Sequence, residues 1–426
     1  MAAYLLYIDP GTGSMLFSIL IGATATVYFL ARAAWLKLKF VISGKKGGAA
    51  DTSGHKFVIY NEDKRYWNVF RPVLDAFEHH ETEVTYFTSD KTDEIFTLNA
   101  NEKTAYKFVK PEYIGEGNSA FAKLNLLSSD VVLMTTPGLD VYQLKRSKNV
   151  RHYAHLEHST GDATLYRLFG LDYFDSVLVT GMYKEKDVRY LEEVRGIKHK
   201  EIVSVGCTYL DVYKEKIATL QQDASQMQQT HEFTVLVSPS WGPAAILSRY
   251  GERLLDPLLA TGWHIIVRPH PQSKVSESEM LERLTERYKA AANIEWNYER
   301  DNIACLSRAD VMISDFSGII YDYTFLRDKP VIYVNADMNL EMYDAYDVPD
   351  HNPWQIEAVR RFGIELKEEQ FANIKDVIQN ASDSSELKRL RAAEKQRAWE
   401  NEGSAGEKVW EFMVAKQKEL ATTTLA

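Results

Sequence analysis

The chain has 426 residues, of which 45% are hydrophobic and 26% are charged. This composition is typical of a globular protein, and the length predicts two domains with additional segments. The formal net charge of −10, from 50 basic and 60 acidic residues, argues against a general nucleic-acid-binding protein. The two cysteines, Cys207 and Cys305, fit neither a disulfide framework nor a zinc site, and they favour a reducing compartment.

The first 50 residues carry an apolar run that is followed by basic residues. Residues 15–31 are nearly all apolar, and four lysines follow within residues 37–46. A helix continued to residue 38 is long enough to cross a bilayer with some tilt, and the positive-inside rule then places the rest of the chain in the cytoplasm. We therefore predict that residues 1–50 form an inner-membrane helix and a basic linker. The alternatives are a signal peptide, a buried core helix and a helix lying in the membrane interface.

Residues 51–218 show the alternation of strands and helices that is typical of an α/β domain. The pattern predicts strands at 56–60, 83–87, 130–134, 150–155, 176–180 and 201–205, and helices at 67–77, 120–127 and 184–195, with another beginning at 165–169. Such alternation implies a mainly parallel sheet whose ligands lie beyond the carboxyl ends of its strands.

Histidines lie at the end of the predicted strand 150–155 and in the loop that follows it. His155 and His158 are three residues apart, and Ser159 and Thr160 come next. We predict no metal site here, because no third ligand is apparent. His158 lies where an α/β sheet places its chemistry, and imidazole titrates near neutral pH, so we interpret it as a general base. The alternative is a packed, hydrogen-bonded histidine.

Residues 219–400 repeat the α/β pattern and are predicted as a second domain. Strands are predicted at 233–237, 263–267, 309–313 and 331–334, and helices at 247–259, 277–291, 301–307, 354–362, 371–379 and 385–399. Residues 401–426 are predicted as a last helix and a tail.

Two strand ends of the second domain carry groups that suit an anion. Arg268-Pro269-His270-Pro271 follows one strand, and Ser314-Asp315-Phe316-Ser317-Gly318 joins another strand to a helix. Backbone N–H groups at a helix N-terminus, with a serine hydroxyl beside them, favour phosphate. The alternatives are an ordinary helix cap and a rigid turn with incidental charges. Asp322, one turn into the helix, is interpreted as a solvated or helix-orienting carboxylate.

These motifs resemble those of the CDP-glycerol glycerophosphotransferases, the family of teichoic-acid primases and polymerases. His158-Ser159-Thr160 is similar to their His-Gly-Thr motif, and Arg268-Pro269-His270-Pro271 matches their Arg-x-His-Pro loop. Residues 205–211 resemble their Gly-x-Pro-x-x-Asp element, and residues 309–330 resemble their long Ser/Thr-Asp-Tyr-Ser-Ser signature. The resemblance covers residues 150–335 and implies an α/β fold with two Rossmann-like domains in the GT-B arrangement.

The resemblance implies a reaction in which an acceptor hydroxyl attacks the β-phosphorus of a CDP-linked polyol and CMP leaves. In it, His158 takes the hydroxyl proton and His270 acts with the groups that hold the donor pyrophosphate. The donor-binding groups would be Arg268, Ser240, Ser314, Asp315, Ser317 and Gly318, and the supporting residues would be His155, Ser159, Thr160, Asp211 and Asp322. No metal or cofactor is expected, and the acceptor would be a lipid-linked or envelope glycan at the membrane.

The sequence departs from the family pattern at several positions. Ser159, Thr208 and Gly318 stand where the family has glycine, proline and serine, and the Arg-Gly-Phe-Tyr stretch expected near residues 340–350 is missing. The acceptor and any polymerase activity are therefore left open. Two other functions remain as alternatives: a nucleotide-sugar glycosyltransferase or 2-epimerase-like enzyme of the same fold, and a catalytically degenerate, membrane-tethered binding protein.

Overall fold

The computed structural model describes residues 24, 26–28, 31–32, 35, 54–226, 232–299, 301–336, 341, 343–348 and 353–423. The chain divides into two compact units, Met1–Gly54 and His55–Ala426. The apolar run at residues 15–31, for which a membrane helix is predicted, lies mostly outside the described residues. Among the residues that are described, no helix combines the length and the apolar character needed to cross a bilayer.

The first part of the larger unit, which we call the first lobe, is built on a parallel sheet. Within the described residues this sheet has seven strands in the order β3-β2-β1-β4-β5-β6-β7. The strands are β1 (His55–Asn61), β2 (Val84–Thr88), β3 (Val109–Tyr113), β4 (Ser128–Met134), β5 (Asn149–Leu156), β6 (Ser176–Val179) and β7 (Glu201–Ser204). In the central strand β4, the consecutive residues Val131, Val132 and Leu133 are all fully buried, because helices cover both faces of a parallel sheet.

The helices of this first lobe present apolar stripes to the sheet. They are α1 (Trp67–His79), α2 (Glu94–Asn99), α3 (Asn118–Leu124), α4 (Glu185–Arg195) and α5 (Thr208–Gln226). Helix α1 shows the pattern most clearly, since Phe70, Val73, Leu74 and Phe77 recur at helical spacing and are all fully buried. This spacing places the four side chains on the face that covers the sheet.

A second parallel sheet forms the core of the second lobe. Within the described residues it has six strands in the order β10-β9-β8-β11-β12-β13. The strands are β8 (Thr234–Val237), β9 (His264–Val267), β10 (Ile294–Trp296), β11 (Val311–Ser314), β12 (Val331–Tyr333) and β13 (Ile364–Glu365). The helices are α6 (Ile246–Tyr250), α7 (Glu252–Leu259), α8 (Ser273–Ser276), α9 (Ser278–Tyr288), α10 (Ile303–Arg308), α11 (Ile319–Arg327), α12 (Trp354–Phe362), α13 (Ile374–Asp383), α14 (Ser385–Ala398) and α15 (Ala405–Thr423).

Both sheets reverse their strand order at one point, between β1 and β4 in the first lobe and between β8 and β11 in the second. Ligands of open parallel sheets lie beyond the carboxyl ends of the strands at such a reversal. The predicted α/β class with two Rossmann-like sheets is therefore confirmed, and the fold itself indicates which sheet edges to inspect for a site.

One local prediction for the first lobe was wrong, and one strand of its sheet was not predicted. The helix predicted from Leu165 is replaced by a 3₁₀ turn at Ala163–Leu165 and a loop, in which Phe169 has a φ of +66°. A right-handed helix does not accommodate that angle. Strand β3 was missed because Pro111 and charged neighbours hide its pattern. It lies at the sheet edge, where proline is tolerated.

The last helix, α15, leaves the second lobe and packs on the first sheet. Its residues Val409, Phe412 and Met413 share a hydrophobic core with helix α1. Asp211, in the first turn of α5, fixes this return path, because its carboxylate accepts hydrogen bonds from the backbone N–H of Gly403 at 2.8 Å and of Ala405 at 3.1 Å. The two lobes are therefore tied together by a second crossing of the chain.

Candidate functional site

A cleft of about 480 Å³ lies between the carboxyl ends of the two sheets. The first-lobe residues that line it come from the loop after β5. Most of the others come from the loops after β8, β9 and β11, and Asp322 of α11, Tyr343 and Gln355 of α12 complete the lining. Its lining includes His158, Ser159, Thr160, Asp162, Tyr166, Ser240, Trp241, His270, Phe316, Ser317, Gly318, Asp322 and Tyr343. The structure thus brings most of the residues predicted for the site to one place.

His158 lies on the first-lobe wall of the cleft with its ring held on three sides. Its Nδ1 is 3.2 Å from the hydroxyl of Thr135. The rings of Tyr66 and Tyr166 meet it edge-on, with centroid distances of 5.3 and 6.2 Å. Burial lowers the pKa of His158 to about 4, and the cations of Lys184 and Arg65 act in the same direction. The ring is therefore neutral at physiological pH, as a general base must be before reaction.

A buried ion pair supports the loop that carries His158. The ammonium of Lys184 donates to Glu157 at 2.6 Å, and both side chains are almost fully buried. Glu157 also accepts from the backbone N–H of Thr180 at 3.1 Å. The Tyr183 hydroxyl donates to the carbonyl of Thr160 at 2.8 Å. These bonds fasten the loop to the start of α4 and so fix the position of the imidazole next to it.

His270 lies on the opposite wall of the cleft and is placed to donate a hydrogen bond. Its Nδ1 accepts a hydrogen bond from the backbone N–H of Gln272 at 3.1 Å. A neutral imidazole that accepts at Nδ1 must carry its proton on Nε2. Burial lowers the pKa of His270, which favours this neutral form. His270 is thus a hydrogen-bond donor toward the cleft, and it is not a base.

The N-terminus of α11 opens into the same wall. Gly318 precedes the helix, and among the described residues no side chain caps it. The N–H groups of Ile320 and Tyr321 donate to the carbonyls of Ser317 and Gly318 at 3.2 and 3.1 Å, so the backbone N–H groups left for an anion are those of the turn that precedes these two residues. Ser317 and Gly318 both line the cleft. A side chain on Gly318 would meet nothing within 4 Å, so the serine that the family has at this position would fit. Its replacement by glycine removes a hydroxyl and keeps the backbone.

Ser240 adds a further donor. It is 6% exposed and lines the cleft, and among the described residues no well-formed hydrogen bond is found for its hydroxyl, which lies near the Asp315 carboxylate. A buried hydroxyl without a partner is costly, so the site is suited to a ligand that accepts from it.

Three of the predicted donor-binding residues are not among the residues that line the cleft. The Ser314 hydroxyl donates to the carbonyl of Ser238 at 2.6 Å. Asp315 accepts from the backbone N–H groups of Ser240 at 2.9 Å and Ile246 at 3.0 Å. Arg268 is buried and donates to the side-chain oxygen of Asn297. These residues shape the loops of the site, because their polar groups are engaged inside the second lobe.

The supporting residues fall into two groups. His155 and Asp211 lie outside the cleft lining: His155 is fully buried, and its Nε2 is 3.0 Å from the Tyr166 hydroxyl. Burial lowers the pKa of His155 to about 3. Asp322 does line the cleft and accepts from the Tyr209 hydroxyl at 3.1 Å. Burial raises the pKa of Asp322 to about 7, so its charge at neutral pH depends on what binds beside it.

Tyr343 lines the cleft and begins the segment 343–348, which we call the clasp. The clasp comes from the second half of the chain and docks on the first lobe. The Arg195 guanidinium donates to Asp344 at 2.8 Å and to Asp347 at 2.7 Å. It also binds Asp172 of the first lobe at 2.7 Å. The same oxygen of Asp344, Oδ1, also accepts from the backbone N–H of Phe169 at 2.7 Å, so the junction is built mainly from buried charges.

Sequence reasoning missed the aromatic residues of the cleft. Tyr166 lies in the segment that was predicted as a helix, and Tyr343 belongs to the clasp. Trp241 lines the cleft and is 49% exposed, which is high for so large an apolar side chain. Its position directly after the Ser238-Pro239-Ser240 strand end was the one signal that could have identified it. Among the described residues, no group of three or more His, Cys, Asp or Glu side chains is arranged to hold a metal ion.

Comparison with known proteins identifies a family match and similar folds. Residues 129–413 match the family described as CDP-glycerol:poly(glycerophosphate) glycerophosphotransferase. The wall teichoic acid polymerase TagF superposes with a TM-score of 0.55 at 12% identity, over 92% of this chain and 98% of that one. The UDP-GlcNAc 2-epimerase of Methanocaldococcus jannaschii superposes with a TM-score of 0.54 at 13% identity, over 84% and 99%. No curated protein sequence matches the chain. At these identities the structural likeness shows a GT-B-like fold alone.

Proposed function

The chain belongs to the CDP-glycerol:poly(glycerophosphate) glycerophosphotransferase family, and from this premise we propose that it transfers a polyol phosphate from a CDP-linked donor to a hydroxyl of a glycan acceptor. Family membership supports a CDP-glycerol-using transferase. The observation that carries the finer proposal is the cleft, in which a neutral imidazole on one lobe lies opposite a set of anion-binding donors on the other.

In the proposed step, the acceptor hydroxyl oxygen forms a bond to the β-phosphorus of the donor. The bond between that phosphorus and the oxygen bridging to the α-phosphate breaks, and CMP leaves with the electron pair. His158 takes the proton of the attacking hydroxyl. Phosphoryl transfer depends mainly on positioning and on stabilisation of charge, so a base of modest strength suffices when the reactants are held in line.

The second lobe would hold the pyrophosphate. His270 donates from Nε2, Ser240 donates from its hydroxyl, and the turn at Ser317 and Gly318 supplies backbone N–H groups. The negative charge that develops on the departing CMP is then met by fixed donors in a partly closed site, where hydrogen bonds to charged oxygens are strongest. The absence of a serine hydroxyl at Gly318 weakens this set by one donor.

We further propose that the acceptor is lipid-linked or part of the cell envelope and that residues 1–50 bring the enzyme to the membrane. The apolar run and the lysines that follow it motivate this part of the proposal. Fractionation of cells that express the whole chain, compared with a chain starting at Gly54, tests it. Recovery of both proteins in the supernatant would contradict membrane attachment.

The central test is release of CMP from a panel of CDP-glycerol, CDP-ribitol and UDP-GlcNAc, with donor affinity measured by calorimetry. We expect release from a CDP-polyol, a decrease of about 10²- to 10⁴-fold in His158→Ala, and unchanged donor affinity. His199→Ala is the matched control, because this imidazole is 67% exposed. Transfer by His158→Ala at the wild-type rate would refute the assignment of the base. Turnover of the UDP-sugar alone would favour the nucleotide-sugar alternative that the epimerase-like fold allows.

A further inference from the structure

Thr135 is the residue whose contact with the proposed base has no part in the function described so far. It directly follows β4, and His158 lies two residues beyond the end of β5. The two strands are parallel neighbours in register, with Met134 opposite His155. The sheet therefore sets the threonine hydroxyl beside the imidazole through backbone pairing, and this placement does not depend on a mobile loop.

The ring of His158 is fixed so that its two nitrogens have different surroundings. Nδ1 faces the Thr135 hydroxyl at 3.2 Å, and Thr135 is 2% exposed, so solvent competes little for this contact. Tyr66 and Tyr166 pack edge-on against the ring and oppose its rotation. Among the described residues no protein partner is found for Nε2, and the residue lines the cleft. Nε2 is thus the nitrogen available to a substrate.

A hydroxyl beside Nδ1 is compatible with two tautomers that differ in function. If the Thr135 hydroxyl donates to Nδ1, the ring proton is on Nε2 and the cleft receives a donor. If the hydroxyl accepts from Nδ1–H, the lone pair of Nε2 faces the cleft and can take a proton. His270 already supplies a neutral donor from the opposite wall, through its bond from the Gln272 backbone N–H.

We propose that Thr135 is a positioning residue that accepts the Nδ1–H of His158 and thereby holds the imidazole in the tautomer that is basic at Nε2. The proposal rests on the assignment of His158 as the base in the proposed function. The hydroxyl takes the place that a carboxylate has in a Ser-His-Asp triad, with the difference that it carries no charge. It orients the ring and selects the tautomer, and it gives little stabilisation to the protonated ring.

This difference has a consequence for the reaction. Because no carboxylate of the described part of the chain bonds to Nδ1, the imidazolium formed by proton transfer must be stabilised from the cleft side. The phosphates of the donor are the anions that the second lobe would place there. The base would accordingly be effective when a donor is bound, and an empty enzyme would keep the ring neutral.

The test uses the full chain labelled with ¹⁵N-histidine, with the His158 resonances assigned by their loss in His158→Gln. Long-range ¹H–¹⁵N correlation spectra distinguish a protonated from an unprotonated ring nitrogen. Thr135→Val removes the acceptor at nearly constant volume, and Thr135→Ser restores it. Thr208→Val is the matched control, because the Thr208 hydroxyl is buried, has no partner among the residues that the structure describes and does not line the cleft.

We expect the Nδ1–H form in the wild type, in Thr135→Ser and in Thr208→Val, and a shift to the Nε2–H form in Thr135→Val. For CMP release from CDP-glycerol we expect kcat of Thr135→Val to fall about ten- to a hundredfold, with KM for the donor unchanged and with recovery in Thr135→Ser. An Nε2–H form in the wild type overturns the proposal, as does full kcat in Thr135→Val. If Thr135→Val does not fold, the wild-type spectrum decides. If the wild type releases no CMP, the proposed function fails, while the spectra still decide the tautomer.

Discussion

The junction of the clasp with the first lobe allows a quantitative prediction for Arg195→Met. The guanidinium is 8% exposed and binds Asp172, Asp344 and Asp347 at 2.7 to 2.8 Å. Methionine keeps most of the volume and removes the charge, so Asp172 and Asp344 remain buried without their cation. Removal of one partner from a buried pair destabilises a protein by about 3–5 kcal/mol. We expect this cost to act first on the clasp, because the charged contacts of Arg195 are concentrated there.

The destabilisation caused by Arg195→Met should depend on pH, and the direction of this dependence follows from the pKa of Asp344. Burial raises the pKa of Asp344 to about 6 even with Arg195 in place. The folded state thus binds this proton more tightly than the unfolded chain, so the contribution of Asp344 to wild-type stability falls as the pH rises from about 4 to about 6 and is then constant. Loss of Arg195 removes the contribution that lowers this pKa, so the carboxyl of the variant stays neutral to a higher pH. The difference between the two proteins is therefore largest above pH 7 and smaller near pH 5.5.

Hydrogen exchange measured on peptides that contain Phe169 and Asp344 is the appropriate assay, because their amides bond across the junction. At pH 8 a loss of 3 kcal/mol or more corresponds to exchange faster by about 10²-fold. Arg253→Met is the control, since Arg253 forms an exposed pair with Glu368 that is worth about 1 kcal/mol at most. The reasoning is refuted if Arg195→Met exchanges like the wild type at pH 8, or if its acceleration is the same at pH 5.5 after correction for the intrinsic rate.

Two further predictions concern the donor-binding wall. Ser240→Ala should weaken binding of CDP-glycerol about tenfold with little change in thermal stability, because its hydroxyl makes no well-formed hydrogen bond to any described residue. Ser314→Ala should lower the stability by about 1 kcal/mol, because it loses the bond to Ser238. Equal effects of the two changes in calorimetry and thermal unfolding would contradict this division. Because the pKa of Asp322 is raised to about 7, its charge should repel the donor above that pH. Donor affinity should fall as the pH rises through 7 in the wild type and stay level in Asp322→Asn. Parallel pH profiles of the two proteins would contradict this prediction.

Periodic features of the sequence predicted most of the fold, and long-range features could not be predicted. The alternating strands and helices gave the parallel sheets, since buried runs such as Val131–Leu133 leave little choice of structure. Strand β3 takes its conformation from pairing with β2, and its own residues favour no strand. The segment around Phe169 is helical in pattern but is held open by Asp344, which lies 175 positions away. A contact of this kind has no local signal.

The site, like the fold, could be predicted from local sequence features only in part. The rule that ligands lie beyond the carboxyl ends of strands indicated the loops of His158, His270 and Ser317, and the structure has all three in one cleft. The rule does not say which polar groups of a loop face outward. Ser314 and Ser240 both lie at strand ends. The Ser314 hydroxyl bonds inside the second lobe, whereas the Ser240 hydroxyl has no well-formed hydrogen bond to a described residue. The orientation of these side chains depends on backbone geometry and on the neighbouring lobe, so no local sequence pattern specifies it.

In the proposed transferase, the two histidines of the cleft would serve two different roles. The Gln272 backbone N–H makes His270 a donor, and in our proposal the Thr135 hydroxyl accepts from Nδ1 and leaves Nε2 of His158 as the acceptor. Burial lowers the pKa of both, so neither carries a charge in the empty cleft. The bound donor would add negative charge close to both rings and raise their pKa values. Proton uptake by His158 would then be favoured only when the phosphates are in place, which couples the base to the presence of its substrate.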